Sequence, residues 1–258
     1  MEPRSFWAIG DYVRISDLIL AQGERLVEWS GIGPQDRVLD VAAGTGAASL
    51  PAAAIGARVT ATDLTPELLE IGERRATERG LDIEWRTADA MALPFADASY
   101  DVVMSAIGAM FAPDHQATAD ELVRVCRPGG TIAMANWTPD GGAGRFFGVL
   151  APYVPPPPPG PAPTDWSDPD HVAALFGSRV SELVTETDVV EVDFPGGADE
   201  LAALYLSSFP PLVATLAGLA ESPERQSALA HDLTEFFRGE YAAGGVRYDY
   251  LLVRATVA

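Results

Sequence analysis

Three aspartates and a pair of glycines are spaced as a nucleotide-bearing ligand would need them. Asp40 lies inside the run VLDVAAGTG, Asp63 closes RVTATD, and Asp89 comes two residues after IEWRT. Each carboxylate sits where an apolar or alternating stretch gives way to a turn. Gly44 and Gly46 flank Thr45, and a short glycine turn after a strand offers backbone N–H groups to a ligand. Asp63 is placed to accept hydrogen bonds from both hydroxyls of a ribose. Asp89 and Ala90 offer a carboxylate and an N–H to the edge of an adenine. NAD and S-adenosylmethionine (SAM) are both held this way. Position 49 is Ser, so the third glycine of a dinucleotide fingerprint is missing.

The elements that must position these residues alternate along the chain. Apolar spacing over residues 12–30 predicts one or two helices ahead of the core. Strands are expected at 37–42, 58–62, 83–87, 101–105 and 131–136, with helices over about 47–55, from Pro66 onward, and over 117–125. Thr65 reads as an N-cap with Pro66 at the first helical position. On that helix Leu68, Ile71 and Gly72 should face the sheet, with Glu70 and Arg74 paired outward. This βαβα rhythm means a parallel sheet covered on both faces, with ligands beyond the carboxyl ends of its strands. After Asn136 the rhythm lapses. Pro155–Pro159 reads as a stiff surface connector, and a strand near 187–194, helices over 199–242 and a last strand at 246–257 complete the chain.

Composition narrows the chemistry. There are 37 acidic against 17 basic residues, a formal net charge of −20, and every basic residue is arginine. Such a charge repels phosphate backbones, which excludes a nucleic-acid substrate. The absence of lysine removes Schiff-base chemistry, a P-loop lysine and a Tyr-x-x-x-Lys dehydrogenase pair. Cys126 is the single cysteine, read as a small buried hydrophobe in a reducing, cytoplasmic setting. The N-terminus shows no secretory pattern, and no cluster has metal-ligand spacing. Leu201–Ala220 is free of charge over the length of a membrane span, but Pro210 and Pro211 break it into two short helices, so no membrane insertion is expected.

VLDVAAGTG, ATDLTPELLE, TADAMALPFADASYDVV and ELVRVCRPGGTIAMANW together resemble the class I SAM-dependent methyltransferases. The nearest type is the ubiquinone/menaquinone-biosynthesis C-methyltransferase group with its small-molecule relatives. The likeness is close over Arg37–Trp137 and looser outside. It implies a Rossmann-like, doubly wound α/β fold. A seven-stranded, mostly parallel sheet with an antiparallel last strand would carry an N-terminal helical cap and C-terminal lid helices. One domain would span 1–258, with the cap at 1–31, the cofactor core at 32–140 and the acceptor-shaping part at 141–258. By the same resemblance Gly44, Thr45 and Gly46 cradle the methionyl end of SAM and Asp63 binds the ribose. Leu64 covers the adenine, Asp89 and Ala90 read its edge, and Ser105 and Ala106 meet the amino-acid end. Asp40 braces the turn or the ammonium group. Members of the group carry Ala at the position of Ala42, and Ala43 replaces a frequent glycine or cysteine, which a turn with negative φ accepts.

Methyl transfer from a sulfonium is an in-line displacement that alignment and exclusion of water can largely drive. Trp7, Met110, Phe111, Trp137, Phe146, Phe147 and Phe209 are expected to line a pocket for a small, apolar acceptor, closed by Asp11 and Tyr12, with the charge-free Leu201–Ala220 segment forming part of a lid over it. His115 is the candidate general base, with Tyr12 a second catalytic candidate. His231 should be exposed. The chain is expected to act as a monomer or homodimer. Two rival functions are a SAM-fold enzyme that performs dehydration or cyclisation without methyl transfer, and a NAD-binding oxidoreductase.

Overall fold

The computed structural model describes residues 3–157 and 159–258; Pro158, inside the proline run, and the first two residues lie outside them. Seven strands form one sheet: β1 (Arg37–Val41), β2 (Arg58–Asp63), β3 (Ile83–Thr87), β4 (Tyr100–Ala106), β5 (Cys126–Trp137), β6 (Val180–Val192) and β7 (Val246–Val257). Their order is β3-β2-β1-β4-β5-β7-β6. The first five are parallel, and β7 runs antiparallel between β5 and β6. β1, β4 and the second half of β5 are almost wholly buried, as apolar strands covered on both faces must be.

Three short helices precede the sheet: α1 (Pro3–Phe6), α2 (Tyr12–Ser16) and α3 (Ala21–Ser30). Helices α4 (Ser49–Ala54), α5 (Pro66–Glu78) and α6 (His115–Val125) connect the parallel strands. α5 begins at Pro66 as expected, but the residues it buries are Leu68, Leu69, Gly72 and Ala76. Ile71 lies half-exposed beside them, and no Glu70–Arg74 ion pair occurs among the described residues. α6 starts two residues earlier than its apolar pattern, because the Asp114 carboxylate accepts from Ala117 N at 2.9 Å and caps it. Arg127–Gly130 forms a break in register within β5: Tyr100 pairs with Cys126, and regular pairing resumes at Val102 with Thr131.

The lapse after Asn136 conceals α7 (Gly142–Leu150) and α8 (Pro169–Phe176), neither legible from periodicity. α9 (Gly197–Ser208), α10 (Pro210–Gly218) and α11 (Pro223–Ala242) follow β6. The charge-free segment therefore breaks where its prolines demand, and α9 and α10 meet at a 73° bend. Among the described residues no single helix is long and apolar enough to cross a membrane. Leu201, Leu204 and Leu212 are buried against the rest of the chain. The proline run is exposed on both sides of Pro158, as a surface connector would be.

Candidate cofactor and acceptor site

A cavity of about 460 Å3 opens beyond the carboxyl ends of β1 to β4, where the strand order reverses. Gly44, Thr45, Asp63, Leu64, Asp89, Ala90 and Ala106 all line it. Seven of the ten residues expected to hold a cofactor are thus brought to one wall, although they come from four separate turns.

Asp63 is the node of that wall. Its carboxylate accepts from Gly44 N and from Thr65 N, both at 2.8 Å, so the end of β2 holds the glycine turn in place. Burial pushes this carboxyl above the usual range, and the two backbone N–H donors pull it back. Asp89 accepts from Met91 N at 2.9 Å and remains half-buried at the cavity edge. Ala42 takes φ +56°, the left-handed conformation expected of a glycine. Facing it, Ile107 has φ +67°, which is rare for a β-branched residue. A Cβ on Gly108 would lie 2.2 Å from the Ala42 carbonyl oxygen, so the turns after β1 and β4 meet backbone to backbone. Strain at such positions persists only where surrounding packing over-determines it.

Three expected residues do not reach the cavity. Gly46 (φ +89°) is turned toward Leu50 and the Trp85 ring, 2.9 Å from where its Cβ would stand. Its missing side chain lets α4 and β3 close. Ser105 donates to Val41 O at 2.7 Å and accepts from Ala109 N at 3.0 Å, which stitches β4 to β1. Asp40 is fully covered, with one carboxylate oxygen accepting from Ser49 Oγ at 2.6 Å and the other without a partner. Burial raises its carboxyl to about 7. Asp40 braces the turn from beneath.

On the acceptor side Trp7, Tyr12 and Phe111 line the cavity, joined by Phe6, which the sequence did not single out. The Trp7 ring lies 5.2 Å from Tyr12 and 5.3 Å from Phe111. Met110, Trp137, Phe146 and Phe209 stand behind this wall instead. Met110 is buried, and Trp137 packs on Tyr248 and Tyr250. Phe146 sits within an aromatic cluster with Phe147, Tyr205, Phe209 and Phe237. Phe209 touches Trp7 and Tyr12 from outside the cavity. These three rings and the thioether do not line the cavity.

His115 is corrected in the same way. It is buried, 3% exposed, with Nδ1 3.1 Å from His171 Nε2 and its ring tilted against Trp166, centroids 5.3 Å apart. Burial and the neighbouring imidazole lower its pKa, and it does not line the cavity that Ala112 and Pro113 border. Tyr12 remains: burial, then the nearby Asp63 charge, push its hydroxyl up to about 12. His231 is exposed. Among the described residues no cluster of three or more His, Cys, Asp or Glu could hold a metal ion.

The sequence missed the contribution of the N-terminal helices to the glycine turn. Ser16, Ile19 and Gln22 line the cavity. Ser16 Oγ lies 3.5 Å from Thr45 Oγ1, and Arg75 bridges Thr45 to Asp17 at 3.3 and 2.7 Å. No local signal marks these residues, since their role follows from where α2 and α3 dock.

Residues 39–134 match the family model described as a methyltransferase domain. The uncharacterised protein Rv1403c of Mycobacterium tuberculosis (strain H37Rv) is 45% identical over 254 residues, which span 98% of this chain and 93% of that protein. The demethylmenaquinone methyltransferase of Thermus thermophilus is 41% identical over 105 residues, 40% of this chain and 48% of its own. Among solved structures, YcgJ from Bacillus subtilis superposes with a TM-score of 0.60 at 15% identity, covering 92% of this chain and 98% of that one. Fold and matches define a Rossmann-like methyltransferase. The chain belongs to the class I SAM-dependent methyltransferases.

Proposed function

We propose that the protein binds SAM along the arc Asp89–Asp63–Gly44 and methylates a carbon or oxygen of a small, largely apolar acceptor seated against Trp7, Tyr12 and Phe111. One observation carries this reading: a single cavity joins the residues of the cofactor motifs to that aromatic wall. The residues suit the group. Asp63 keeps lone pairs free beside its two backbone donors, and Leu64 and Leu68 supply apolar cover. SAM supplies an electrophilic methyl on a positively charged sulfur. The chain supplies alignment and a dry wall, which such a displacement chiefly requires. With its pKa near 12, Tyr12 stays protonated at neutral pH and serves as a hydrogen-bond donor rather than a base. The acceptor's proton passes to solvent water, before or after the displacement.

Calorimetry with SAM, S-adenosylhomocysteine (SAH) and NAD tests the cofactor. SAM and SAH should bind and NAD should not. Asp63→Ala should weaken SAH by about 2–3 kcal/mol, as two charge-assisted bonds are lost and water partly replaces them. Tight NAD binding with no response to SAH overturns the reading. Methyl-labelled SAM with a panel of apolar phenols and carbon acids should give labelled product. Conversion of an acceptor without label would favour the non-transferring rival.

A further inference from the structure

Gln22 is the residue at this site that neither the motifs nor the aromatic wall explain. It is 4% exposed, it lines the cavity, and its Oε1 has no hydrogen-bond partner. Other buried polar atoms without partners among the described residues, such as those of Asp40 and Asn136, belong to side chains off the cavity wall. A carbonyl oxygen held out of water without a donor costs free energy, and burial is tolerated where a ligand completes the bond.

The position of Gln22 is fixed by its neighbour. A Cβ on Gly23 would stand 2.3 Å from the Ala47 carbonyl oxygen, so α3 lies directly on the loop that follows Gly46. Leu26 and Val27, one turn further along, are buried and lock the helix there. Gln22 therefore lines the cavity beside the turn of β1, whose Gly44, Thr45 and Ala47 line it too. Of the charged groups at the methionyl end of the cofactor, only the α-ammonium can donate to a carbonyl oxygen.

We infer that Gln22 is a cofactor-recognising residue, its side-chain carbonyl accepting a hydrogen bond from the α-ammonium of the methionyl group. This rests on the SAM reading above and extends the site from the motifs of the sheet to the N-terminal cap. Docking of α3 onto the turn then makes the cap part of cofactor binding, not merely a cover for the acceptor.

The test is calorimetry on the full chain with SAH and with SAH lacking its α-amino group, against Gln22→Leu and Gln22→Glu. Gln22→Leu should weaken SAH by about 10- to 100-fold, the range for a hydrogen bond to a charged group. The deaminated analogue should bind the parent and Gln22→Leu within about twofold of each other. Gln22→Glu keeps an acceptor at the same place and should recover most of the lost SAH affinity. Thermal melting of both variants close to the parent shows that they fold. Unchanged SAH affinity in Gln22→Leu, an equal loss for both ligands, or a Glu variant no better than Leu each overturns the assignment. A parent chain that binds no SAH removes the cofactor reading itself, a result distinct from any of these.

Discussion

A carboxylate with one satisfied oxygen and one orphan makes Asp40 a pH-sensitive residue beside the site. Its protonated form is favoured in the folded chain, because burial outweighs the Ser49 hydrogen bond. The folded pKa of about 7 exceeds the ordinary 3.8. The stability it confers is therefore present in acid and is lost as pH rises from about 4 through about 7. Asp40→Asn abolishes this titration, so its stability relative to the parent should climb between pH 5 and pH 8. The full linkage is worth at most about 4 kcal/mol, the shift multiplied by 1.36 kcal/mol per unit. Denaturant unfolding of both proteins at several pH values measures it, and parallel profiles would show that Asp40 is ionised throughout. Ala42, one turn above, bears the strain of a left-handed φ on the same support. Asp40 and Ala42 thus stabilise and strain the turn together, and neither needs to touch a ligand to matter.

At the scale of elements, α9 and α10 bury Leu201, Leu204 and Leu212 as core helices do, in a charge-free segment that also invites a lid. Phe209, at the bend between them, contacts Trp7, Tyr12, Phe146, Phe147 and Tyr205. Ser208 O accepts from Asp11 N at 3.0 Å, which ties the bend to the cap. Phe209→Ala should cost about 3–5 kcal/mol, seen as a lower melting temperature, and Leu212→Ala about 2–5. Phe209→Ala should also impair acceptor binding through the loosened Trp7 and Tyr12, whereas Leu212→Ala should leave it alone. If both variants melt like the parent and shift only the acceptor Michaelis constant, α9 and α10 are a lid after all. β1, β2, β4 and β5 were legible because buried strands are largely apolar runs closed by turn residues, and the mostly exposed β3 because Ile83 and Trp85 alternate with Glu84 and Arg86. The first half of β6 was not, since Val180–Thr187 mixes exposed Glu and Ser with half-buried residues on a sheet edge. Helices α7 and α8 were hidden by their flanking Gly and Pro. In the site, spacing after strands revealed Asp63, Asp89 and Gly44. Gln22 and Phe6 depend on how a separate segment docks, and Ser105 and Gly46 on which way a side chain or a missing one faces; no local pattern carries that.

Charge acts on the molecule as a whole. Arginines tie distant elements together: Arg25 to Glu186 and Asp188, Arg37 and Arg127 to Asp101, and Arg238 to Asp199. The Arg37 and Arg127 guanidiniums hold the Asp101 carboxyl well below its usual range. Exposed pairs of this kind contribute about 0–1 kcal/mol each and weaken as salt rises. Against them stands a formal net charge of −20, whose self-repulsion salt relieves. The two effects have opposite signs. Local pairs sit at contact distance, inside the ~10 Å Debye length at 0.1 M, whereas the excess charges repel across the whole surface and are screened far more completely. Relief of repulsion should therefore win. Raising sodium chloride from about 20 mM to about 300 mM should increase the melting temperature by about 3–6 °C, equivalent to 1–2 kcal/mol for a chain of this size. Chloride is the salt to use, because sulfate would stabilise by surface exclusion regardless of charge. Binding of a cationic ligand such as SAM should respond in the opposite direction, associating more slowly as the attractive field is screened. A melting temperature that falls with sodium chloride would mean that the arginine pairs, not the excess of carboxylates, dominate the electrostatics of the fold.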